Sequence, residues 1–300
     1  MWIASASVLA IAAPNKASAT RNQASSLKIT GTPGRIRPGV FACLFFISVL
    51  YPASLYAENT ALCTPLGKLE SVQLEQVVDG DTLRLRDGRR VRLIGINTPE
   101  IGRDGRADQP LADTARRVAN DWLAGETLLL EMGTEARDRH GRYLASVFRS
   151  SDRRMLGEYL LTQGLGWQVT VPPNSVYTSC LQQAEAAARA ARRGVWADKR
   201  YPVLKASALV PADAGFQRVR GRVSTVTDSR RERWIELDRG VSLRLERGEI
   251  AAFGDMNFDE LVGKVLTVRG WLIYRGRQPR GYPPYLMHLQ HPAMLEAIEE

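Results

Sequence analysis

Two short polar clusters and two arginines hold the chemistry this chain can do. Asp79-Gly80-Asp81-Thr82 falls at a strand–turn–strand junction, and Asn97-Thr98-Pro99-Glu100 follows directly on an apolar run. A hard cation such as Ca²⁺ takes oxygen donors, and Asp81, the Asn97 amide oxygen and the Thr98 backbone carbonyl can supply them. Glu100, one proline-stiffened step further, is suited to orient or deprotonate a water beside such an ion. Arg92 comes just before the second cluster, and Arg142 closes the run Asp138-Arg139-His140-Gly141-Arg142. Two guanidinium groups facing one carboxylate cluster can clamp a phosphodiester and offset charge building on its oxygens. Each element alone has a plainer reading. D-G-D is commonest as a turn, strand arginines are usually solvated, and T-P-E also caps helices.

The clusters need a scaffold, and the flanking pattern describes one. Apolar residues at Leu69, Val72, Leu74 and Val77 read as a strand over 68–78, and 83–86 and 91–96 extend the sheet around an Asp87-Gly88 turn. Residues 101–109 form a polar loop. Pro110 then opens a helix that Leu111, Ala115, Val118, Ala119 and Trp122 carry to Gly125. Strands follow at 127–132 and 143–148, then a short helix over 153–163 and an Ala-rich helix ending at Gly194. Five strands and three helices predict an α+β, mainly β unit over 68–198, a small barrel with helices against it. Residues 58–67 read as a short linker and 199–214 as a longer one, punctuated by Pro, Ala and Gly. Five more strands at 216–226, 233–238, 241–245, 264–274 and 285–290, with a helical turn within 250–262, predict a second small β-barrel over 215–300, OB-like in type.

Taken in order, V-V-D-G-D-T-L-R-L, V-R-L-I-G-I-N-T-P-E, D-R-H-G-R-Y-L-A-S-V-F and L-L-T-Q-G-L-G, closed by G-V-W-A-D, make a pattern that resembles the staphylococcal nuclease-like (thermonuclease) family from about residue 68 to 197. The resemblance implies an OB-type five-stranded barrel with three helices. It also implies dependence on one Ca²⁺, and hydrolysis of DNA and RNA by metal-assisted water attack to give 3′-phosphate ends. By position, Asp81 matches the direct calcium ligand, Thr98 the residue ligating through its backbone carbonyl, and Asp79 an acid behind the ligands. Glu100 matches the general base, and Arg92 and Arg142 the pair that binds the scissile phosphate. Arg139 lies on the loop that in the family reaches a nucleotide's far phosphate; His140 stands where the family often has Tyr, and a solvated loop histidine is its plainer reading.

Two departures bear on this. Asn97 takes the place of a second Asp ligand, so the site loses one negative charge and calcium affinity should fall. Around Thr170 and Pro172, where the family can present base-stacking aromatics, this chain has none; Trp167 and Tyr177 are out of register and suit core packing. The alternative reading is a non-catalytic nucleic-acid-binding module on a nuclease fold, favoured by Asn97 and opposed by the retained Glu100, Arg92 and Arg142. DNA and RNA are the expected partners, with no obligate protein partner evident.

Composition narrows the setting. Hydrophobic residues make up 44% of the 300, which excludes wholesale disorder. Three cysteines without C-x-x-C or Cys/His ligand spacing exclude structural zinc. The net charge of +9 looks like a nucleic-acid signature, but residues 1–57 hold five cations and no acid. Behind Arg35 and Arg37, residues 40–51 are an apolar run, followed by P-A-S-L-Y-A. This is the layout of an export signal cut after Ala57, with an unusually long upstream extension. The run is shorter than the roughly 20 residues of a membrane span, although an uncleaved anchor is the competing reading. Export to the periplasm or medium would leave Cys63 and Cys180 in an oxidising compartment, where a bridge between them stays open. The remaining chain carries 36 cations against 32 acids, so position and not bulk charge carries the chemistry. In the second barrel, Arg218, Arg220, Arg222, Arg230, Arg231 and Arg233 with Trp234, and Trp271, Tyr274, Arg275, Arg277 and Tyr282, read either as a groove for single strands or as the wet face of a sheet.

Overall fold

Period-two burial winds residues 69–149 into a closed ring. The computed structural model describes residues 63–276, 278–279 and 282–300; the export-type segment, residues 58–62 and Arg277 lie outside the described residues. Strands β1 (Leu69–Val72) and β2 (Leu74–Asp79) are two halves of one run, followed by β3 (Thr82–Leu85), β4 (Arg90–Leu93), β6 (Leu128–Arg137) and β7 (Tyr143–Arg149), with a short β5 (Ile96–Asn97) between. β2 pairs antiparallel with β3 and β3 with β4, β4 pairs parallel with β7, β7 antiparallel with β6, and β6 returns to β1. Leu83 and Leu85, Val91 and Leu93, and Leu128 and Leu130 alternate into the interior and are buried. The same alternation turns Arg90 and Arg92 outward from that core.

Three helices cover the ring. α1 (Ala112–Leu123) buries Ala112, Ala115, Ala119 and Leu123, a helical stripe of small residues that lets it lie close to β2. It begins two residues after Pro110, because Leu111 adopts a positive φ of 66° and turns the chain before the helix starts. α2 (Leu156–Thr162) and α3 (Thr178–Ala190) pack on each other, and Leu156, Leu160, Leu161, Leu181 and Ala184 join the buried cluster of the ring. Between them β8 (Trp167–Gln168) pairs with β5, setting Asn97 opposite Trp167. A closed five-stranded barrel with few helices is α+β, as the sequence predicts. Trp167 and Tyr177 are both buried. Cys63 and Cys180 are bridged, with Cα atoms 5.7 Å apart and a separation of 117 positions along the chain. Cys63 is itself buried and its N–H donates to Glu158 at 3.0 Å, so the end of the stretch read as a linker is held down.

A second ring follows. Its strands are β10 (Gly215–Asp228), β11 (Glu232–Leu237), β12 (Val241–Glu246), β13 (Val265–Tyr274) and β14 (Tyr285–His288), with β9 (Leu204–Lys205) and β15 (Leu295–Glu299) at its margins. β10 pairs antiparallel with β11 and β11 with β12, β12 pairs parallel with β14, and β13 joins β14 to β10. This is the hydrogen-bonding order of the first ring repeated. The stretch 199–214 joins the rings, but not as a free tether: β9 pairs parallel with β10 and Ala206 is buried under it.

The two rings meet through a buried polar network. Arg269 on β13, 4% exposed, donates through Nη1 to both Glu185 oxygens on α3 at 2.7 Å, and through Nη2 to the Gln168 side chain at 3.2 Å. Glu185 also accepts the Gln168 backbone N–H at 2.6 Å, so one carboxylate braces α3, β8 and β13 together. Burial raises the pKa of Glu185 and the Arg269 charge lowers it. Beside this, Arg218 holds Glu296 at 2.6 Å, and the guanidinium groups of Arg189 and Arg218 lie 5.1 and 4.9 Å from the Trp196 ring. Removing one partner of a buried ion pair strands the other charge. Arg269→Ala is therefore expected to lower stability by about 3–5 kcal/mol; urea denaturation of the variant against the parent measures it.

Candidate active site

The residues of the two polar clusters converge because one turn is clamped against one strand. Leu93 N–H donates to the Asp81 carbonyl at 2.8 Å, fixing the D-G-D-T turn beside β4. Gly80 makes the approach feasible. A Cβ there would stand 2.8 Å from Thr98 Cγ2 and 2.9 Å from Ala115 Cβ, so only glycine lets the turn slide under Thr98 and α1.

Asp81 is 1% exposed and fully engaged. Its Oδ2 accepts the Thr98 N–H at 2.7 Å and faces Arg92 Nη2 at 3.1 Å; its Oδ1 accepts from the Thr82 hydroxyl at 3.2 Å. Arg92 reaches three more oxygens, the carbonyls of Leu93 and Ile96 at 2.9 and 2.7 Å and the Asn97 side-chain oxygen at 3.1 Å. The Asn97 amide oxygen thus points into the same spot as the Asp81 carboxylate. Asp79 lies behind them, 3% exposed, with Arg103 at 3.5 Å and its Oδ1 without a hydrogen-bond partner. Burial, then the charges of Asp81 and Glu100, push the Asp79 carboxyl up to about 7.

Above this floor opens a cleft of about 630 Å³. Arg92, Asn97, Glu100 and Arg142 line it, as do Arg139 and His140. The Glu100 side chain is accessible but walled in by the cleft; desolvation and the Asp81 charge raise its pKa, against the pull of Arg92, Arg142 and Arg103. Its backbone is held by Gln109, whose side-chain oxygen accepts the Glu100 N–H at 2.9 Å and whose N–H returns to the Glu100 carbonyl at 3.0 Å. Arg142 is aimed by Asp138, which takes its Nε at 2.7 Å and its N–H at 2.9 Å. Arg139 and His140 are exposed on the loop and bond each other at 3.1 Å.

The structure thus gathers all nine polar residues singled out from the sequence around one cleft or its floor, with Asp79, Asp81 and Thr98 beneath and the other six on the walls. Gln109 and Arg103 brace partners nine and 24 residues away and leave no spacing signal in the sequence, and Asp138, four residues before Arg142, reads there only as part of a polar loop.

An ordered strand ring with this cleft can be compared with known proteins. A thermonuclease from Staphylococcus intermedius is 33% identical over 130 residues, covering 42% of this chain and 76% of that enzyme. The chain belongs to the staphylococcal nuclease family. The family described as Staphylococcal nuclease homologue matches residues 90–198, a range that takes in Arg92, Asn97 to Glu100 and Arg142 and begins after Asp81. Within the nuclease family it is also similar to a thermonuclease from Staphylococcus hyicus, 29% identical over 132 residues (43% of this chain, 77% of the relative). Endonuclease YncB of Bacillus subtilis is 30% identical over 139 residues, covering 45% of this chain and 65% of that protein.

The donor set has a limit that the family frame makes plain. Among the described residues, no group of three or more His, Cys, Asp or Glu side chains is set to hold a metal ion. With Asn97 in the set, a cation would rest on amide and carbonyl oxygens as much as on carboxylate. The oxygen-only chemistry and the orphaned, buried Asp79 Oδ1 nonetheless fit a hard cation. The packing of the turn yields its own expectation. Gly80→Ala should overpack the floor against Thr98 and cost about 1–3 kcal/mol, read as a lower urea midpoint at an unchanged slope.

Proposed function

We propose that this chain is an exported, Ca²⁺-dependent nuclease that hydrolyses phosphodiester bonds of DNA and RNA and leaves 3′-phosphate ends. The observation that carries the reading is the buried Asp81, flanked by Arg92 and Asn97, under a cleft lined by Glu100 and Arg142. The nuclease relatives support the reaction class. Asp81, the Asn97 amide oxygen and the Thr98 carbonyl would hold the ion, with Asp79 behind them, and the bound ion would supply positive charge to the phosphoryl oxygens and a site for water.

The protein groups divide the remaining work. Glu100 takes a proton from the attacking water, and its raised pKa makes it a stronger base than an ordinary surface carboxylate. Arg92 and Arg142 bind the scissile phosphate and neutralise charge as the phosphorus becomes five-coordinate. Breaking the P–O5′ bond then leaves the phosphate on the 3′ side, and the departing 5′ oxygen takes up a proton from solvent to become a hydroxyl. Arg139 contributes to a neighbouring phosphate, and His140 stays a solvated loop residue.

Export rests on the basic flank and apolar run before Ala57, and the Cys63–Cys180 bridge suits an oxidising compartment. No helix among the described residues is long and apolar enough to cross a membrane. The second ring, whose strand order repeats the first, is assigned an OB-type fold, with domains at 68–198 and 215–300.

Digestion of plasmid DNA and of RNA by the purified protein, with Ca²⁺ and with EGTA, tests the reading. Cleavage should require Ca²⁺, and Glu100→Ala should lower turnover about 10²- to 10⁴-fold. Asn97→Asp should lower the Ca²⁺ concentration giving half-maximal rate, since it restores a charged ligand. A parent protein that cuts nothing while its Asn97→Asp variant cuts would overturn the enzyme reading for the natural chain.

A further inference from the structure

The cleft has a second wall, and that wall belongs to the other ring. Opposite Arg92, Glu100 and Arg142 it is lined by Trp271 and Ile273 of β13 and His288 of β14. Strand geometry puts them there. Arg269, Trp271 and Ile273 are two residues apart and so share one face of β13. Arg269 locks that face onto Glu185 of the nuclease ring, and the next two side chains on the face are delivered to the cleft.

Trp271 is 42% exposed and Ile273 45%, in a chain whose other large apolar side chains are mostly buried. The indole is also braced. Phe216 meets it edge-on with ring centres 5.2 Å apart, Phe216 lies 5.4 Å from Trp167, and Trp167 lies 4.9 Å from Tyr201. This aromatic file runs from Tyr201 of the joining stretch through Trp167 on β8 and Phe216 on β10 to Trp271, at the cleft. Aromatic rings stack nucleobases at about 1–3 kcal/mol per base and with little sequence preference, since every base has a π-face. A cleft of about 630 Å³ is of the size that holds a small ligand or a nucleotide.

We propose that Trp271 is the base-stacking platform of this cleft, so that the second ring selects nucleic acid whose bases are unpaired while the first ring grips the phosphates. The inference rests on the nuclease reading for the identity of the ligand and adds its class: single-stranded or locally opened DNA or RNA. A duplex keeps its bases stacked on each other and presents no free face to the indole.

Binding without turnover tests it. A fluorescein-labelled dT10 and the same ten-mer with abasic sites are titrated with the full protein in EGTA and read by fluorescence anisotropy. The parent should prefer dT10 to the abasic strand. Trp271→Ala and Trp271→Leu, the second keeping apolar bulk in case the first fails to fold, should weaken dT10 binding about 5- to 150-fold and narrow the gap to the abasic strand. Trp271→Phe should keep most of the affinity. The platform is overturned if the parent binds dT10 no better than the abasic strand, or if Trp271→Leu binds dT10 within twofold of the parent. The two ideas separate cleanly. A protein that shows the Trp271 effect but cuts nothing in Ca²⁺ keeps the platform and loses the nuclease; one that cuts but shows no Trp271 effect does the reverse.

Discussion

A carboxylate with 1% of its surface exposed has to be neutralised, and the site is organised around how Asp81 meets that requirement. Its two oxygens take one backbone N–H from Thr98, one hydroxyl from Thr82 and the guanidinium of Arg92. Each of these partners comes from a different stretch, so the charge acts as a tie between the D-G-D-T turn, β4 and the N-T-P-E loop. Arg92 in turn donates through Nη1 to the Leu93 and Ile96 carbonyls and shares Nη2 between Asp81 and the Asn97 oxygen, which shapes the loop that carries Glu100. Asp79 is less well provided for. With one oxygen unpartnered and only Arg103 at 3.5 Å, its charge is poorly compensated, and burial beside Asp81 and Glu100 raises its pKa to about 7.

The same logic recurs at the junction of the rings. Glu185 is buried between α3 and β13, and it is tolerated because Arg269 supplies charge and Gln168 an N–H. Gln168 sits on β8, whose partner strand β5 holds Asn97. The second ring is therefore mechanically connected to the cleft floor through one side chain, one short strand pair and one amide. A flat, polar contact between domains would leave them free to swing; a desolvated ion pair with defined geometry does not.

How much of this could be read from the residues alone differs by scale. The first ring is legible because Leu83/Leu85, Val91/Leu93 and Leu128/Leu130 alternate cleanly, and the two polar clusters because Asp81, Asn97 and Glu100 fall at or just beyond strand ends, although Asp81 and Asn97 are themselves buried. The start of α1 was misplaced by two residues, since nothing in the identity of Leu111 announces a left-handed conformation. The linker after Asp198 contains β9, which pairs with β10 and is too short to show periodicity. Arg218, Arg220 and Arg233 look like a basic groove in the sequence, yet they are paired with Glu296, Glu299 and Asp228. Arg269 reads as one more strand arginine; its partner is 84 residues away on another element. Local pattern reports which way a side chain faces, not what it meets.

The repeated strand order also dictates when each part can exist as the chain emerges. Each ring closes when its fourth strand pairs with its first, as β6 does with β1 and β13 with β10, and its fifth, β7 or β14, bridges the fourth to the third. The first ring can thus seal while the last hundred residues are still being made. At that stage Glu185 has no counter-charge and the cleft has one wall. Arrival of β13 supplies Arg269 and Trp271 in a single step, because they stand on the same strand face. The second ring thus both covers the Glu185 carboxylate and completes the groove.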